Sequence, residues 1–224
     1  MARRPVFIPT DDAPYVVEHA VEFQYYPGFS LQQKQRSIAS LHDSFLADWP
    51  GRKTLEVSSK STVGLGIRLS AFNLMIHASD DAECSVEAAF QAAKKFENGG
   101  PYADLMQTSS RQAKRDPRLQ QSGRLIGFEF FGKRFPFEPK TYFYDWLYAS
   151  ALCRDKELLK QVTEYSAFTD IEFNPKRSIN CQARSVAKVV GLWQADELTA
   201  ALESPESFWE IGFGGASTLG PPQR

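Results

Sequence analysis

Residues 85–100 constrain what this chain can fold into more than any other stretch, because they repeat with helical spacing over a surface that is nearly all small or apolar. Glu87, Gln91 and Lys94 follow at i, i+4 and i+7, so they form one narrow polar line. This pattern is typical of a helix that is buried on most sides and turns its polar line toward a cavity. An ordinary core helix with a solvated edge fits the same spacing. Residues 98–101, Asn-Gly-Gly-Pro, should end the helix.

Composition sets broad limits on fold and function. The chain has 224 residues and a net charge of −1, which allows one large domain or two small ones and gives no overall attraction to nucleic acid. Any nucleic-acid contact therefore needs a local basic patch. Cysteines and histidines are scattered without the spacing of a metal site, so we expect no metal and no other cofactor. No apolar run suggests a membrane span or a signal peptide, and we expect a cytoplasmic, disulfide-free protein.

The order of the patterns predicts a single helix-rich α+β domain with short antiparallel strands. Residues 1–18 are expected to form an extended N-terminal arm, residues 19–203 the domain, and residues 204–224 a loose C-terminal tail. A hairpin is expected within residues 124–137. The longest helical patterns lie at residues 30–47, 140–152 and 185–202.

Carboxylates are the side chains best suited to chemistry here, because the sequence has no serine triad, phosphate-binding glycine loop or metal motif. Cleavage of a glycosidic bond needs one carboxylic acid to protonate the leaving group and one carboxylate to stabilise the sugar cation or activate water. Ordinary interpretations remain open: Asp145 suits the front of a helix, and Asp170 and Glu172 suit a turn before a proline. The candidates are Glu87, Asp116, Asp145, Asp170 and Glu172.

Cationic side chains add two observations. Lys94 is unusual on so apolar a helix: either it extends outward to water, or an acid such as Glu87 holds it in a pocket. A lysine of lowered pKa can also form an imine with a ring-opened sugar. Other basic residues suit either phosphate contacts or a solvated surface. These residues are Arg111, Lys114, Arg115, Arg118 and Arg124 in one segment, and Lys53, Lys60 and Arg68 in another.

An ordered set of motifs resembles the NADAR family of ADP-ribose-associated, hydrolase-like domains. The helix Val86-Glu-Ala-Ala-Phe-Gln-Ala-Ala-Lys is similar to the family's Glu-His-x-x-Gln-x-x-Lys helix. The other similar segments are Ser70-Ala-Phe-Asn, Ala113-Lys-Arg-Asp-Pro with Gly123-Arg124, Phe168-Thr-Asp-Ile-Glu-Phe, and Ile179-Asn-Cys-Gln-Ala-Arg. The resemblance implies a YbiA/NADAR-like fold.

One branch of the family, the antitoxins encoded with DarT-type DNA ADP-ribosyltransferases, is similar over further segments. These are Tyr25-Tyr-Pro-Gly-Phe-Ser, Leu55-Glu-Val-Ser-Ser-Lys-Ser, Glu138-Pro-Lys-Thr-Tyr-Phe-Tyr-Asp-Trp-Leu and Asp170-Ile-Glu-Phe-Asn-Pro-Lys. The resemblance implies an enzyme that removes ADP-ribose from guanine bases in DNA and so counteracts the toxin. Other branches are linked to N-glycosidic cleavage of riboflavin-pathway intermediates.

Three residues depart from the family pattern. Ala88 stands where many relatives have histidine, so this chain lacks that imidazole. Phe173 and Phe135 stand where a tryptophan is common, which changes the aromatic surface available to a base. The acid, amide and amine of the central helix are retained.

The resulting hypothesis is hydrolysis of the bond between ADP-ribose and the guanine amino group. Glu87 is the first choice for acid–base work, with Asp170 or Asp145 as its partner, and Lys94 holds Glu87 ionised or attacks the opened sugar. The expected substrate-binding residues are Ser59, Lys60, Phe72, Asn73, Gln91, Phe96, Arg124 and Asn180. The alternatives are an N-glycosidase acting on riboflavin-pathway metabolites, a non-catalytic antitoxin that binds the toxin, and an ADP-ribose reader without catalysis.

Overall fold

The computed structural model describes residues 1–77, 83–176 and 178–215. The strands are β1 (Ala2–Pro9), β2 (Val16–Phe23), β3 (Thr54–Glu56), β4 (Met75–His77), β5 (Glu83–Ser85), β6 (Lys94–Phe96), β7 (Leu125–Phe130), β8 (Lys133–Pro136) and β9 (Ala167–Thr169). The helices are α1 (Leu31–Asp48), α2 (Gly64–Arg68), α3 (Val86–Ala92), α4 (Ser110–Arg115), α5 (Arg118–Gln121), α6 (Tyr142–Leu152), α7 (Lys156–Val162), α8 (Gln182–Gln194), α9 (Leu198–Ala201) and α10 (Pro205–Phe213), with a 3₁₀ turn at Ala103–Gln107. Among these, no helix has both the length and the apolar character that a bilayer crossing requires.

The strands form three small sheets, which confirms the predicted α+β class. The largest has the order β2-β1-β9-β3, in which β3 and β9 are parallel and the other neighbours are antiparallel. Strands β4 and β5 form an antiparallel pair, and β6, β7 and β8 form an antiparallel sheet that contains the predicted hairpin.

Helix α3 lies at the centre of the main hydrophobic core, between α6 and the β6-β7-β8 sheet. Three phenylalanines join these elements: Phe128 of β7 stacks on Phe143 of α6 with ring centroids 4.8 Å apart, and lies 5.4 Å from Phe90 of α3. A separate, smaller core lies beneath α1. The position of α3 is therefore fixed by aromatic packing on two sides.

The central helix is shorter than the sequence predicts. It ends at Ala92, and Lys94 begins strand β6, in which it pairs with Phe128. The chain folds back at Gly100, whose φ of +75° and close approach to the carbonyl oxygen of Lys94 exclude a side chain. Helical periodicity therefore holds only to Ala92, because β7, distant in sequence, provides a better partner for the next residues.

The segments expected to form an arm and a tail both contain regular secondary structure among their described residues. The predicted N-terminal arm forms β1, which pairs with β2 along its whole length and buries Val6, Phe7 and Ile8. Prolines are tolerated there because β9 contacts β1 through the single pair Phe7 and Phe168.

The predicted C-terminal tail contains α10, which Ser204 caps and which has Pro205 in its first turn. Phe208 of this helix is buried in the main core, and the hydroxyl of Tyr142 donates to the carbonyl of Pro205 at 2.6 Å. Residues 216–224 of the predicted tail lie outside the described residues.

Candidate active site

One face of α3 opens onto a cavity of about 440 Å³, a size typical of small-molecule sites. Aromatic walls come from Phe90, Phe128, Phe137 and Tyr144. Charged and amide groups in the lining are Glu87, Gln91, Lys94, Lys114, Gln120, Lys140 and Asn180. The predicted acid, amide and amine are therefore brought together at one concave site, although they come from two secondary-structure elements.

Glu87 is a buried carboxylate held from two sides. It lies in the first turn of α3, where Ser85 caps the helix by accepting from the backbone N–H of Ala88 at 3.1 Å. Its Oε1 accepts a hydrogen bond from Gln91 Nε2 at 2.9 Å and lies 3.3 Å from Lys114 Nζ. The two donors therefore hold the carboxylate in one orientation at the start of α3.

Lys94 supplies a second functional group at the cavity wall. Its Nζ lies 5.0 Å from the centre of the Phe90 ring. Burial lowers the pKa of Lys94 to about 8; the Glu87 carboxylate opposes this shift, and the charge of Lys114 adds to it. A measurable fraction of the amine is therefore neutral near neutral pH, as a nucleophile requires.

Two residues of the lining each have a buried side-chain oxygen without a partner in the described chain. Gln91 Oε1 and Asn180 Oδ1 are buried and have no hydrogen-bond partner among the described residues. The orientation of Gln91 follows from its contact with Glu87, because only the amide nitrogen can donate to the carboxylate. Buried acceptors are rarely left unpaired, so both oxygens are suited to accept a hydrogen bond from a ligand or from water.

The charge of the lining favours an anion. Three lysines face one carboxylate among the charged lining residues, and Lys140 is otherwise paired only loosely with Glu138, at 3.8 Å. No group of three or more His, Cys, Asp and Glu side chains is placed to hold a metal ion in the part of the chain that the structure describes. The cavity therefore combines donors for an anion, acceptors for hydroxyls and flat apolar walls.

Asp145 and Asp170, the predicted partners of Glu87, do not line this cavity. Asp145 is buried between α6 and α8, where it accepts from Arg184 and Ser185 at 2.6 Å each. These contacts join α6 to α8, and the ion pair between Asp145 and Arg184 is largely shielded from water.

Asp170 shapes the turn after β9. Its Oδ1 accepts from the backbone N–H groups of Glu172 at 3.0 Å and Phe173 at 3.2 Å. Burial raises the pKa of Asp170 to about 8, and repulsion from the buried Glu56 adds to the shift. This acid pair belongs to the interior, beside the main sheet.

The predicted substrate-binding residues divide into two groups. Gln91 and Asn180 line the cavity. Phe72, which is 39% exposed, is outside the lining but lies next to a lining residue, with Lys114 Nζ 5.3 Å from its ring centre. Phe96 is buried against Tyr102 and cannot stack on a base.

The remaining four lie outside the cavity lining. Arg124 is 78% exposed and pairs with Glu97 at 3.0 Å. Asn73 donates to the carbonyl of Ile67 at 2.9 Å and faces a different cavity. Ser59 and Lys60 lie in the loop after β3.

Sequence reasoning missed Tyr144 and the particular role of Lys114. Tyr144 lines the cavity, packs edge-on against Phe90 at 5.1 Å, and has a pKa that burial raises well above the usual value. It immediately precedes Asp145, and one helical step of about 100° separates a side chain in the cavity from one facing α8. The sequence shows Lys114 only as a member of a basic segment, because its contact with Glu87 is made between two different helices, α4 and α3.

The fold and the site define a class: an α+β domain with an acid, an amide and a partly buried amine around a cavity lined by lysines. The chain belongs to the family of DarT1-associated NADAR antitoxins, whose family model matches residues 2–218. The match confirms the resemblance of the motifs and extends it into both chain ends. No match was found among curated proteins.

Proposed function

We propose that this antitoxin is an enzyme that removes ADP-ribose from guanine bases of DNA by hydrolysing the N-glycosidic bond, and so reverses the modification made by a DarT-type toxin. Its membership of the family supports the antitoxin role. The observation that carries the chemistry is the convergence of Glu87, Gln91 and Lys94 on one cavity with two unpaired acceptors.

Glu87 is the acid–base group of this proposal. In the direct route the bond between the sugar C1″ and the guanine nitrogen breaks, the nitrogen takes a proton, and water adds to C1″. Glu87 is the carboxylate within the cavity that can transfer these protons, since Asp145 and Asp170 are engaged elsewhere. This assignment replaces the expected pair of carboxylates with one carboxylate and a neighbouring ammonium.

Lys94 provides a second route to the same products. Its neutral amine attacks C1″ of the ring-opened sugar, the C–N bond to guanine breaks as the guanine nitrogen is protonated, and an imine forms. Water then adds to the imine, which releases ADP-ribose and regenerates the amine. The lowered pKa of Lys94 supports this route.

The substrate fits the remaining groups by chemistry. Ribose hydroxyls are donors suited to Gln91 Oε1 and Asn180 Oδ1. The pyrophosphate suits Lys114 and Lys140, and Phe72 at the cavity edge presents an exposed ring to a base. Ser59, Lys60, Asn73 and Arg124 keep their predicted contacts only if the DNA extends beyond the cavity.

A direct test uses an oligonucleotide carrying ADP-ribosylated guanine, with release of ADP-ribose as the measurement. We expect Glu87→Gln to slow release by about 100-fold or more. Glu164→Gln is the matched control, because Glu164 is exposed and pairs with Lys53 away from the cavity. Turnover that is unchanged in both Glu87→Gln and Lys94→Ala would remove this cavity from the mechanism.

The two routes are separated by borohydride trapping during turnover. The imine route predicts an ADP-ribose adduct on Lys94, located by peptide mass spectrometry. Hydrolysis without any adduct would leave the direct route.

The alternative functions give different results in the same assays. A toxin-binding antitoxin would neutralise the toxin in stoichiometric amounts and would retain this property in Glu87→Gln. An N-glycosidase for riboflavin-pathway metabolites would turn over substrates without a pyrophosphate, and its rate would depend little on Lys140. A reader would bind ADP-ribose without releasing it from DNA.

A further inference from the structure

Lys114 holds a position that differs from those of the other two cavity lysines. It extends from the last turn of α4, its side chain is 56% exposed, and its Nζ lies 3.3 Å from Glu87 Oε1, on a side chain that is only 7% exposed. Its ammonium also lies 5.3 Å above the ring of Phe72 at the cavity edge. Lys114 therefore connects the buried acid to the entrance of the cavity.

The contact between Lys114 and Glu87 is suited to exchange. An ion pair with one half-exposed partner is weak, because water competes for the ammonium. The base of the side chain is fixed, since a capping box between Ser109 and Gln112 holds the start of α4. Only the flexible four-carbon stem has to move for the ammonium to reach a new partner.

Glu87 has a second contact that does not depend on Lys114. Gln91 Nε2, one turn away on the same helix, donates to Glu87 Oε1 at 2.9 Å. Lys94 and Tyr144 are the other polar groups of the lining that act electrostatically with Glu87. The acid would thus become free to act on a substrate without losing its orientation.

We propose that Lys114 changes partners when a substrate enters: its ammonium leaves Glu87 for an anionic group of the substrate, and this exchange frees the carboxylate for the reacting bond. The identification of the anion as a pyrophosphate rests on the proposed function. The exchange itself requires only that an anion enter the cavity.

The exchange makes Glu87 and an anion competitors for one ammonium, and the competition has a definite sign. Removal of the Glu87 charge should strengthen anion binding, partly by relieving repulsion and partly by releasing Lys114. Only the second part should depend on Lys114. A double-mutant cycle isolates the contribution of Lys114, because removing the Glu87 charge relieves the repulsion of the anion both in the presence and in the absence of Lys114.

The experiment is calorimetric titration of the whole protein with inorganic pyrophosphate. We expect Glu87→Gln to lower the dissociation constant about tenfold when Lys114 is present, and by no more than about threefold in a Lys114→Met background. Lys140→Met is the matched control: it should weaken binding but leave the tenfold effect of Glu87→Gln intact. Lys114→Arg should largely restore the coupling. Thermal unfolding of each variant verifies that the fold is retained.

The exchange would be overturned if Glu87→Gln increased the affinity for pyrophosphate equally with and without Lys114. It would also be overturned if the increase in affinity were lost to the same extent in the Lys140→Met background. A failure to bind pyrophosphate in any variant would also overturn it. The measurement uses no turnover, so a coupled protein that releases no ADP-ribose from DNA would disprove the proposed function alone.

Discussion

Two lysines of this protein, one partly buried and one fully buried, have the same lowered pKa and different surroundings. Burial lowers the pKa of both Lys94 and Lys188 to about 8. Lys94 lines a cavity that also holds an acid and two unpaired acceptors. Lys188 of α8 has no exposed surface, donates to the carbonyl of Gly212 and lies 3.7 Å from the ring centre of Phe213.

The difference shows that a lowered pKa does not by itself identify a reactive amine. Lys188 holds α10 against α8, because its donors are used on a backbone carbonyl and its charge rests on an aromatic face. Burial lowers the pKa of Lys94 to a similar extent, but Lys94 lines the cavity, where a ligand can reach it. Access to a ligand separates the two, and access is a property of the fold.

The proposed difference between Lys94 and Lys188 is tested most strongly by making the same substitution at both positions. We expect Lys94→Met to reduce release of ADP-ribose from modified DNA by about 100-fold or more, because the amine acts at the reacting centre. Lys188→Met should leave the rate per folded molecule within about twofold, since Lys188 does not reach the cavity. Rates are measured at a temperature at which circular dichroism shows both variants folded. An equal loss of ADP-ribose release in the two variants would contradict the distinction between a functional Lys94 and a structural Lys188.

The acid beside Lys188 gives the next largest effect. Asp145 favours the charged form of Lys188 and pairs with Arg184 at 2.6 Å. We expect Asp145→Asn to lower the free energy of unfolding by about 3 kcal/mol, because a nearly buried guanidinium loses its counter-charge. Urea denaturation measures this loss. A variant that is fully stable but inactive would instead support the catalytic role predicted for Asp145.

The pH dependence of stability should reveal Lys188. Its folded pKa of about 8 lies below the ordinary value of 10.5, so the unfolded chain binds more protons between these pH values. Stability from this group therefore increases as pH rises from 8 to 10.5, by up to about 3 kcal/mol. We expect the stability of wild type relative to Lys188→Met to increase over this window in denaturation experiments. A stability difference between wild type and Lys188→Met that does not change with pH would show that Lys188 is as easily protonated in the folded protein as in the unfolded chain.

Asp170 should give an effect of opposite sign. Burial raises the pKa of this carboxyl above its ordinary value, so the folded chain binds the extra proton and stability from this group falls as pH rises through the range between the two pKa values. Asn can still accept from Glu172 and Phe173, so we expect Asp170→Asn to be as active as wild type and more stable than wild type at pH 8. A large loss of activity would return Asp170 to the mechanism.

Local spacing in the sequence was enough to predict that Glu87 and Gln91 lie side by side. Glu87 and Gln91 are four residues apart on one helix, and their hydrogen bond is a direct result of helical geometry. The mixed α+β class also followed from alternating patterns along the chain. Both inferences depend only on residues close to one another in sequence.

Partners distant in sequence decided the rest. Lys94 reaches the cavity because it pairs with Phe128 in a sheet, although the helical pattern predicted the right location by a different path. Arg184 occupies Asp145 and Glu97 occupies Arg124, and no local pattern indicates either pairing. Lys114 meets Glu87 only once α4 packs on α3. These contacts follow from tertiary packing, which a single sequence does not encode in its spacing.

The acid and the amine lie on different secondary-structure elements: Glu87 belongs to α3 and Lys94 to β6. The contact between Phe90 of α3 and Phe128 of β7 joins the helix to the strand with which Lys94 pairs, so one aromatic contact helps to set the spacing between the carboxylate and the amine. A smaller side chain at Phe128 should therefore change that spacing without replacing either functional group.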